Sequence, residues 1–138
     1  MVNREQYSNL YCINAFDVQT INTDTTTNGD IIDTQGYDSI LLAIQAGTIT
    51  LGTLTPIVQE GDASNLSDAS AVADADLNPT EALTTFAVTD DNVVKRIAYT
   101  GNKRYIRLQL VSAASANAVV GAQAILANAS SAPVTVNT

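Results

Sequence analysis

Five of the six basic side chains, Lys95, Arg96, Lys103, Arg104 and Arg107, fall within thirteen consecutive positions, and only Arg4 lies elsewhere. Arginine pairs bidentately with carboxylates and tolerates interface burial better than lysine. Arg and Tyr are also the residue types that carry binding energy at protein interfaces, and Tyr105 stands between Arg104 and Arg107. The group supports either a docking site for an acidic protein surface or a solvated hairpin whose bases balance nearby aspartates. Other chemistry is thinner. The chain has no histidine, which excludes a Ser-His-Asp triad, a Cys-His pair and a His-ligated metal. A single cysteine, Cys12, allows neither an internal disulfide nor a thiolate cluster for zinc. Asp74-Ala75-Asp76-Leu77-Asn78 opens like a calcium loop. Pro79 then stands where glycine is needed and Thr85 where the closing glutamate should be, so a solvated acidic loop is expected. Asp90 and Asp91 are adjacent between two strand-like runs, the place of turn residues rather than of a glycosidase pair. No catalytic residue, cofactor or metal is expected.

A length of 138 residues favours one domain over 1–138, large enough to form a core without staples. Apolar residues are 46% of the chain but aromatics only 5%, so Ile, Leu and Val must build the core with Ala as filler. Charged residues are 14% and the formal net charge is −8. Such a chain repels phosphates overall, which argues against nucleic acid as a partner. Its surface must be covered largely by Thr, Ser, Asn and Gln, which cost less to desolvate than charges. That suits a subunit packed against neighbours. Residues 1–6 carry no apolar signal segment, and the longest aliphatic run, Ile40 to Ile44, is too short to span a bilayer, so no membrane is expected.

Period-two alternation dominates the chain and predicts strands. Ala15 to Ile21 places Phe16 and Val18 on one side, and Gly29 to Asp33 is a short strand. Tyr37 to Ala46 is the central strand. Ile40, Leu42, Ile44 and Ala46 share one face, and the apolar Leu41 and Ala43 on the other imply that both faces are covered. Leu54 to Glu60 carries Pro56, which confines it to an edge or a bulge. Thr84–Thr89 and Val93–Tyr99 read as a hairpin around Asp90-Asp91-Asn92, and a second hairpin turns at Gly101-Asn102. From Arg104 to Val111, Ile106, Leu108 and Leu110 face inward while Tyr105, Arg107 and Gln109 face outward. Ala118 to Ala127 is the last strand. About eight strands, with no helix of ten residues, predict an all-β, two-sheet antiparallel sandwich, of jelly-roll topology. Residues 1–11 and 128–138 read as polar arms, and Val134 and Val136 after Pro133 suit a strand added to a neighbour's edge.

The run Val94-Lys95-Arg96-Ile97-Ala98-Tyr99-Thr100-Gly101-Asn102-Lys103-Arg104-Tyr105-Ile106-Arg107, with Gly36-Tyr37-Asp38-Ser39-Ile40 and Glu60-Gly61-Asp62 before it, resembles the cement, or decoration, proteins that tailed bacteriophages encode beside their major capsid protein. The resemblance implies a jelly-roll protein on the outer surface of an HK97-type capsid shell, clamping neighbouring capsomers as a homodimer. The implied partners are the major capsid protein and a second copy. The residues expected at a capsid or subunit interface are Lys95, Arg96, Lys103, Arg104, Tyr105, Arg107, Val134 and Val136. The alternative is a β-sandwich carbohydrate- or receptor-binding module of a phage fibre or surface protein, which exposed aromatics in a groove would favour.

Overall fold

The computed structural model describes residues 5–131. Two strands of 25 residues each, β3 (Tyr37–Gly61) and β7 (Tyr105–Ala129), form its spine. They run antiparallel and pair along their whole length, from Tyr37 opposite Ala129 to Gly61 opposite Tyr105. β1 (Tyr11–Ile21) and β2 (Thr26–Asp33) lie beside the two halves of β7. β4 (Ser70–Ala71) and β6 (Val94–Tyr99) lie beside β3, and β5 (Leu77–Asn78) extends β6. All seven strands belong to one antiparallel sheet.

That sheet is folded over. Pairing of β3 with β7 slips between Ala46 and Ile49, again before Leu51, and again before Thr53. At the fold Gly52 has φ +80, where a side chain would be strained, and a Cβ there would lie 2.5 Å from the carbonyl oxygen of Ala113. Ala114 and Ser115 on β7 are left-handed as well. The Asp24 carboxylate secures this bend by accepting the N–H groups of Ser115 and Ala116 at 3.0 and 2.9 Å. These two bonds hold its pKa below the usual value.

The fold divides the sheet into two leaves. The β1 leaf holds β1, the second half of β7, the first half of β3, β6 and β5. The β2 leaf holds β2, the first half of β7, the second half of β3 and β4. Their inner faces meet in one core. Leu42, Ile44, Ile97 and Leu126 enter it from the β1 leaf, and Ile32, Val58, Leu108 and Leu110 from the β2 leaf. Burying each such side chain contributes about 1.5–3 kcal/mol. The all-β sandwich expected from alternation is what forms, with the refinement that its two layers are one hydrogen-bonded sheet wrapped on itself, an arrangement compatible with a jelly roll.

Several local expectations need correction. Among the described residues there are seven strands where about eight were expected: Tyr37–Ala46 merges with Leu54–Glu60 and Arg104–Val111 with Ala118–Ala127, Thr84–Thr89 drops out, and the two-residue β4 and β5 are added. Neither expected hairpin forms. Thr84–Thr89 is not a strand. It crosses the edge of β3, touching it by one bridge of Phe86 to Leu54, each donating its N–H to the other's carbonyl. β6 and β7 do not pair either, because β3 lies between them. Val18 does not share the inward side of Phe16. Bulges follow Asn14 and Phe16, so Phe16 is fully buried and Val18 is 78% exposed. The outer face of Tyr37–Ala46 is not covered either, since Leu41 and Ala43 stay half-exposed.

Pro56 lies where the edge rule requires. It is opposite Leu110 of β7, and its nitrogen points with Leu54 and Val58 to the other side of β3. Among the described residues no strand runs there, between the stretches that β6 and β4 occupy. Glu81, on a 3-10 turn at Glu81–Thr84, fills part of the gap, accepting the Val58 N–H on its carboxylate at 2.7 Å. Burial pushes the Glu81 pKa up, against the lowering by that bond.

Candidate functional site

The five clustered bases go to different environments. Lys95 faces inward. Its ammonium sits 5.0 Å from the centroid of the Phe86 ring and donates to the Thr85 carbonyl and to Asp90 at 3.2 Å. It therefore ties the 84–90 segment to β6. Lys103 reaches Asp62 at 2.6 Å, and that carboxylate raises its pKa. Its backbone N–H donates to the Tyr99 hydroxyl, which donates in turn to Glu60 at 2.5 Å. Burial, reinforced by Glu60, pushes the Tyr99 pKa up. Arg104 grips Asp33 through two parallel bonds of 2.9 and 2.8 Å and lies over the Tyr105 ring. Its hydrogen bonds hold the Asp33 carboxyl below the usual range. These three bases staple the molecule's own loops.

Arg96 and Arg107 differ, and they lie on opposite outer faces. Arg107 is on β7 in the β2 leaf. Its Nε and Nη2 donate to the Gln59 side-chain oxygen at 3.2 and 2.6 Å, so the cation is held in place by a neutral amide. The row it occupies runs Ile31, Arg107, Gln59, Ala71 across four strands. Tyr105, Gln109, Ile57 and Val111 surround it, all half-exposed, and Gln109 bonds Asn28 across to β2. Inward Ile106, Leu108 and Leu110 and outward Tyr105, Arg107 and Gln109 follow the alternation.

Arg96 is on β6 in the β1 leaf, exposed, with no ionic or hydrogen-bond partner among the described residues. Three rows cross that outer face. One runs Ala98, Leu41, Ile125, Cys12, the next Arg96, Ala43, Gln123, Asn14, and the third Val94, Gln45, Gly121. Val18 overlies Gly121, where an added Cβ would come within 2.5 Å of it. A groove of about 400 Å³ lies among Val18, Ala43, Gln45, Val119, Gly121 and Gln123. Val94 is 52% and Val119 38% exposed. At the β1 rim the Asn14 amide donates to both Asp17 and Asp30 at 2.8 Å, and neither acid has a cation partner among the described residues.

Of the residues expected at an interface, Tyr105 and Arg107 share one face, and Lys103 and Arg104 stand at its end. Arg96 is on the other face, and Lys95 is committed inside. Val134 and Val136 lie outside the described residues. The apolar outer face of the β1 leaf was not singled out as a surface from sequence. Its signal in the sequence is the apolar pair Leu41 and Ala43, which fits an exposed apolar face as well as a covered one. Asp74 and Asp76 lie on a 3-10 turn, and no metal-binding group of acidic and cysteine side chains occurs among the described residues.

No protein-family model matches the chain, and no curated sequence is similar to it. Among solved structures, the SPBc2 prophage-derived protein YomS superposes with a TM-score of 0.50 at 9% identity, over 85% of this chain and 91% of its own. The PBSX exported protein XepA gives 0.51 at 17% identity, over 93% of this chain. The chain spans 40% of the length of XepA. At these identities the likeness is one of fold.

Proposed function

We propose that the protein is a virion structural subunit that docks on the outside of an HK97-type capsid shell and ties neighbouring capsomers together through the outer face of the β2 leaf. The observation that carries this reading is Arg107. Its guanidinium is positioned at the middle of a half-exposed sheet face, beside Tyr105, Ile31 and Ile57, and among the described residues it bonds the neutral Gln59 alone. A carboxylate from the shell would complete its hydrogen bonding. The resemblance of the sequence to phage cement proteins and a fold similar to that of a prophage-derived protein support the same reading. The glycan-binding alternative finds less support. Tyr105, the outward aromatic on a strand, already has one ring face occupied by Arg104.

Co-sedimentation with shells of the major capsid protein tests the proposal. Arg107→Ala should weaken binding more than tenfold, about 1.4 kcal/mol, and leave the melting temperature unchanged. Arg104→Ala should cost less, because its guanidinium is already committed to Asp33. Wild-type binding by Arg107→Ala would remove the β2 leaf from the docking surface. Clear binding on a glycan array would favour the alternative. Deleting residues 132–138 should also weaken attachment if Val134 and Val136 add a strand to a neighbour.

A further inference from the structure

Asn28-Gly29 is the one Asn-Gly pair in the chain, and it stands on a bulge of β2. The ladder to β7 pairs Asn28 with Gln109 and resumes at Ile31 with Arg107, so Gly29 and Asp30 are skipped. A Cβ at position 29 would overlap the Ala15 carbonyl oxygen and lie 2.9 Å from that of Leu108, so only glycine fits there. Asn28 is exposed. Its side-chain oxygen accepts the Gln109 Nε2–H at 2.5 Å, and its Nδ2 has no hydrogen-bond partner among the described residues.

We propose that Asn28 is a site of spontaneous deamidation, through which the protein acquires a carboxylate beside Arg107. The nucleophile is the Gly29 nitrogen. Neither a side chain at 29 nor pairing in the β7 ladder hinders its approach to the Asn28 Cγ. The bond from Gln109 draws electron density from the Cγ carbonyl and makes that carbon more electrophilic. The unpartnered Nδ2 is the leaving group. A bond forms between the Gly29 nitrogen and Cγ, the Gly29 amide proton goes to solvent, and the Cγ–Nδ2 bond breaks with release of ammonia. Water then opens the five-membered imide. Attack at Cγ leaves an aspartate at position 28. Attack at the main-chain carbonyl carbon leaves an isoaspartate, with an extra methylene in the backbone.

The consequence follows from register. Asn28 is opposite Gln109, so Arg107 is its diagonal neighbour, about 7–8 Å away and within reach of a long side chain. Arg107 bonds the neutral Gln59. A carboxylate at 28 draws the guanidinium toward β2 and takes up the bonding capacity that a shell carboxylate would use. This consequence rests on the docking reading above, whereas the deamidation itself does not. The isoaspartate lengthens β2 where Gly29 already touches Ala15 and Leu108, so that product should melt lower.

Peptide mapping by mass spectrometry on the folded protein at 37 °C tests the chemistry without any shell, with a synthetic peptide of residues 26–31 as the time base. Position 28 should gain one mass unit at a rate within about tenfold of the peptide's, because a bulge on an edge strand opens locally at little cost. The rate should be higher at pH 8.5 than at pH 6, because the attacking nitrogen must shed its proton. Asn22 and Asn117, exposed but followed by Thr23 and Ala118, should stay intact over the same time. Asn28→Gln, whose longer side chain cannot close the five-membered ring, should remain unmodified. No gain at position 28 once the peptide has converted would overturn the proposal, and so would a gain spread evenly over the asparagines. Asn28→Asp, standing in for the first product, should weaken co-sedimentation with shells by up to about fivefold, the size of a cross-strand ion pair. Undiminished binding by Asn28→Asp would overturn the effect on docking alone, and Arg107→Ala tests the docking reading separately.

Discussion

The β1 leaf and the β2 leaf take their central strands from the same two segments and share one core, but their outer faces have opposite chemistry. On the β2 leaf the outward positions of β3 and β7 are Thr55, Ile57, Gln59, Tyr105, Arg107 and Gln109, among which Arg107 bonds Gln59, while Gln109 bonds Asn28 of β2. On the β1 leaf they are Leu41, Ala43, Gln45, Gly121, Gln123 and Ile125, smaller and less charged. Inward positions are interchangeable aliphatics in both. The core therefore gives the two leaves the same stability argument, and the outward residues alone decide what each can bind. One face presents a fixed cation in a polar ladder. The other presents a nearly neutral plane with charge only at its rims.

The largest expected effect comes from breaking what the leaves share. Phe86 is fully buried and bridges the 84–90 segment to β3. Phe86→Ala should cost about 3–5 kcal/mol. Both faces should be lost in a single denaturant transition, and two resolved transitions would make the leaves independent units. Gly52→Ala strikes the fold that separates them. Backbone strain at φ +80 and overlap with Ala113 and Ala116 should cost about 1–3 kcal/mol each, read as a lower denaturant midpoint.

Below these stands the contrast itself. Arg107→Ala and Val94→Asp should each leave stability within about 0.5 kcal/mol. Arg107→Ala should weaken shell binding, and Val94→Asp should not. If both weaken it equally, the two faces are not separate surfaces.

The smallest effect is a pH dependence of opposite sign in two groups of carboxylates. Asp24, Asp33, Asp68 and Asp90 all have lowered pKa values from hydrogen bonds to backbone or to Arg104. Their contribution is present above their ordinary value of 3.8 and is lost as pH falls through the lower folded value. Glu81 is raised by burial from its ordinary 4.5. It favours folding below 4.5, and that contribution is lost as pH rises through its folded value. Glu81→Gln should therefore match wild type in melting temperature at pH 4 and exceed it modestly at pH 7. An equal difference at both pH values would show that ionisation of Glu81 is not involved.

Much of the inner face was legible in the chain. Alternation at Ile40, Leu42 and Ile44, and at Ile106, Leu108 and Leu110, reports a buried side whatever the strand's neighbours are. Two things were not legible. Strand length was hidden because the register slips around Ile49 and Ala114 break the alternation, and a broken pattern reads as two strands with a loop. Pairing was hidden because turn residues such as Gly101-Asn102 mark a reversal without naming the next neighbour. β3 takes the place between β6 and β7. The bases were visible as a cluster in sequence, but their separation into internal ties and two arginines with no carboxylate partner among the described residues depends on aspartates far away in the chain, such as Asp33 and Asp62.

The full-length pairing of β3 with β7 also sets an order of assembly. Its ladder begins with Gly61 opposite Tyr105, the pair closest in sequence, and ends with Tyr37 opposite Ala129, the pair furthest apart. Chain closure is cheapest for the first and grows costlier along the ladder, so zipping should start at the Arg107 end, on the slow timescale typical of non-local β pairing. Folding-rate measurements on Leu108→Ala and Leu126→Ala would check this, the first slowing folding more than the second. The nearly neutral plane is then completed last, and the polar ladder is already in place when it appears.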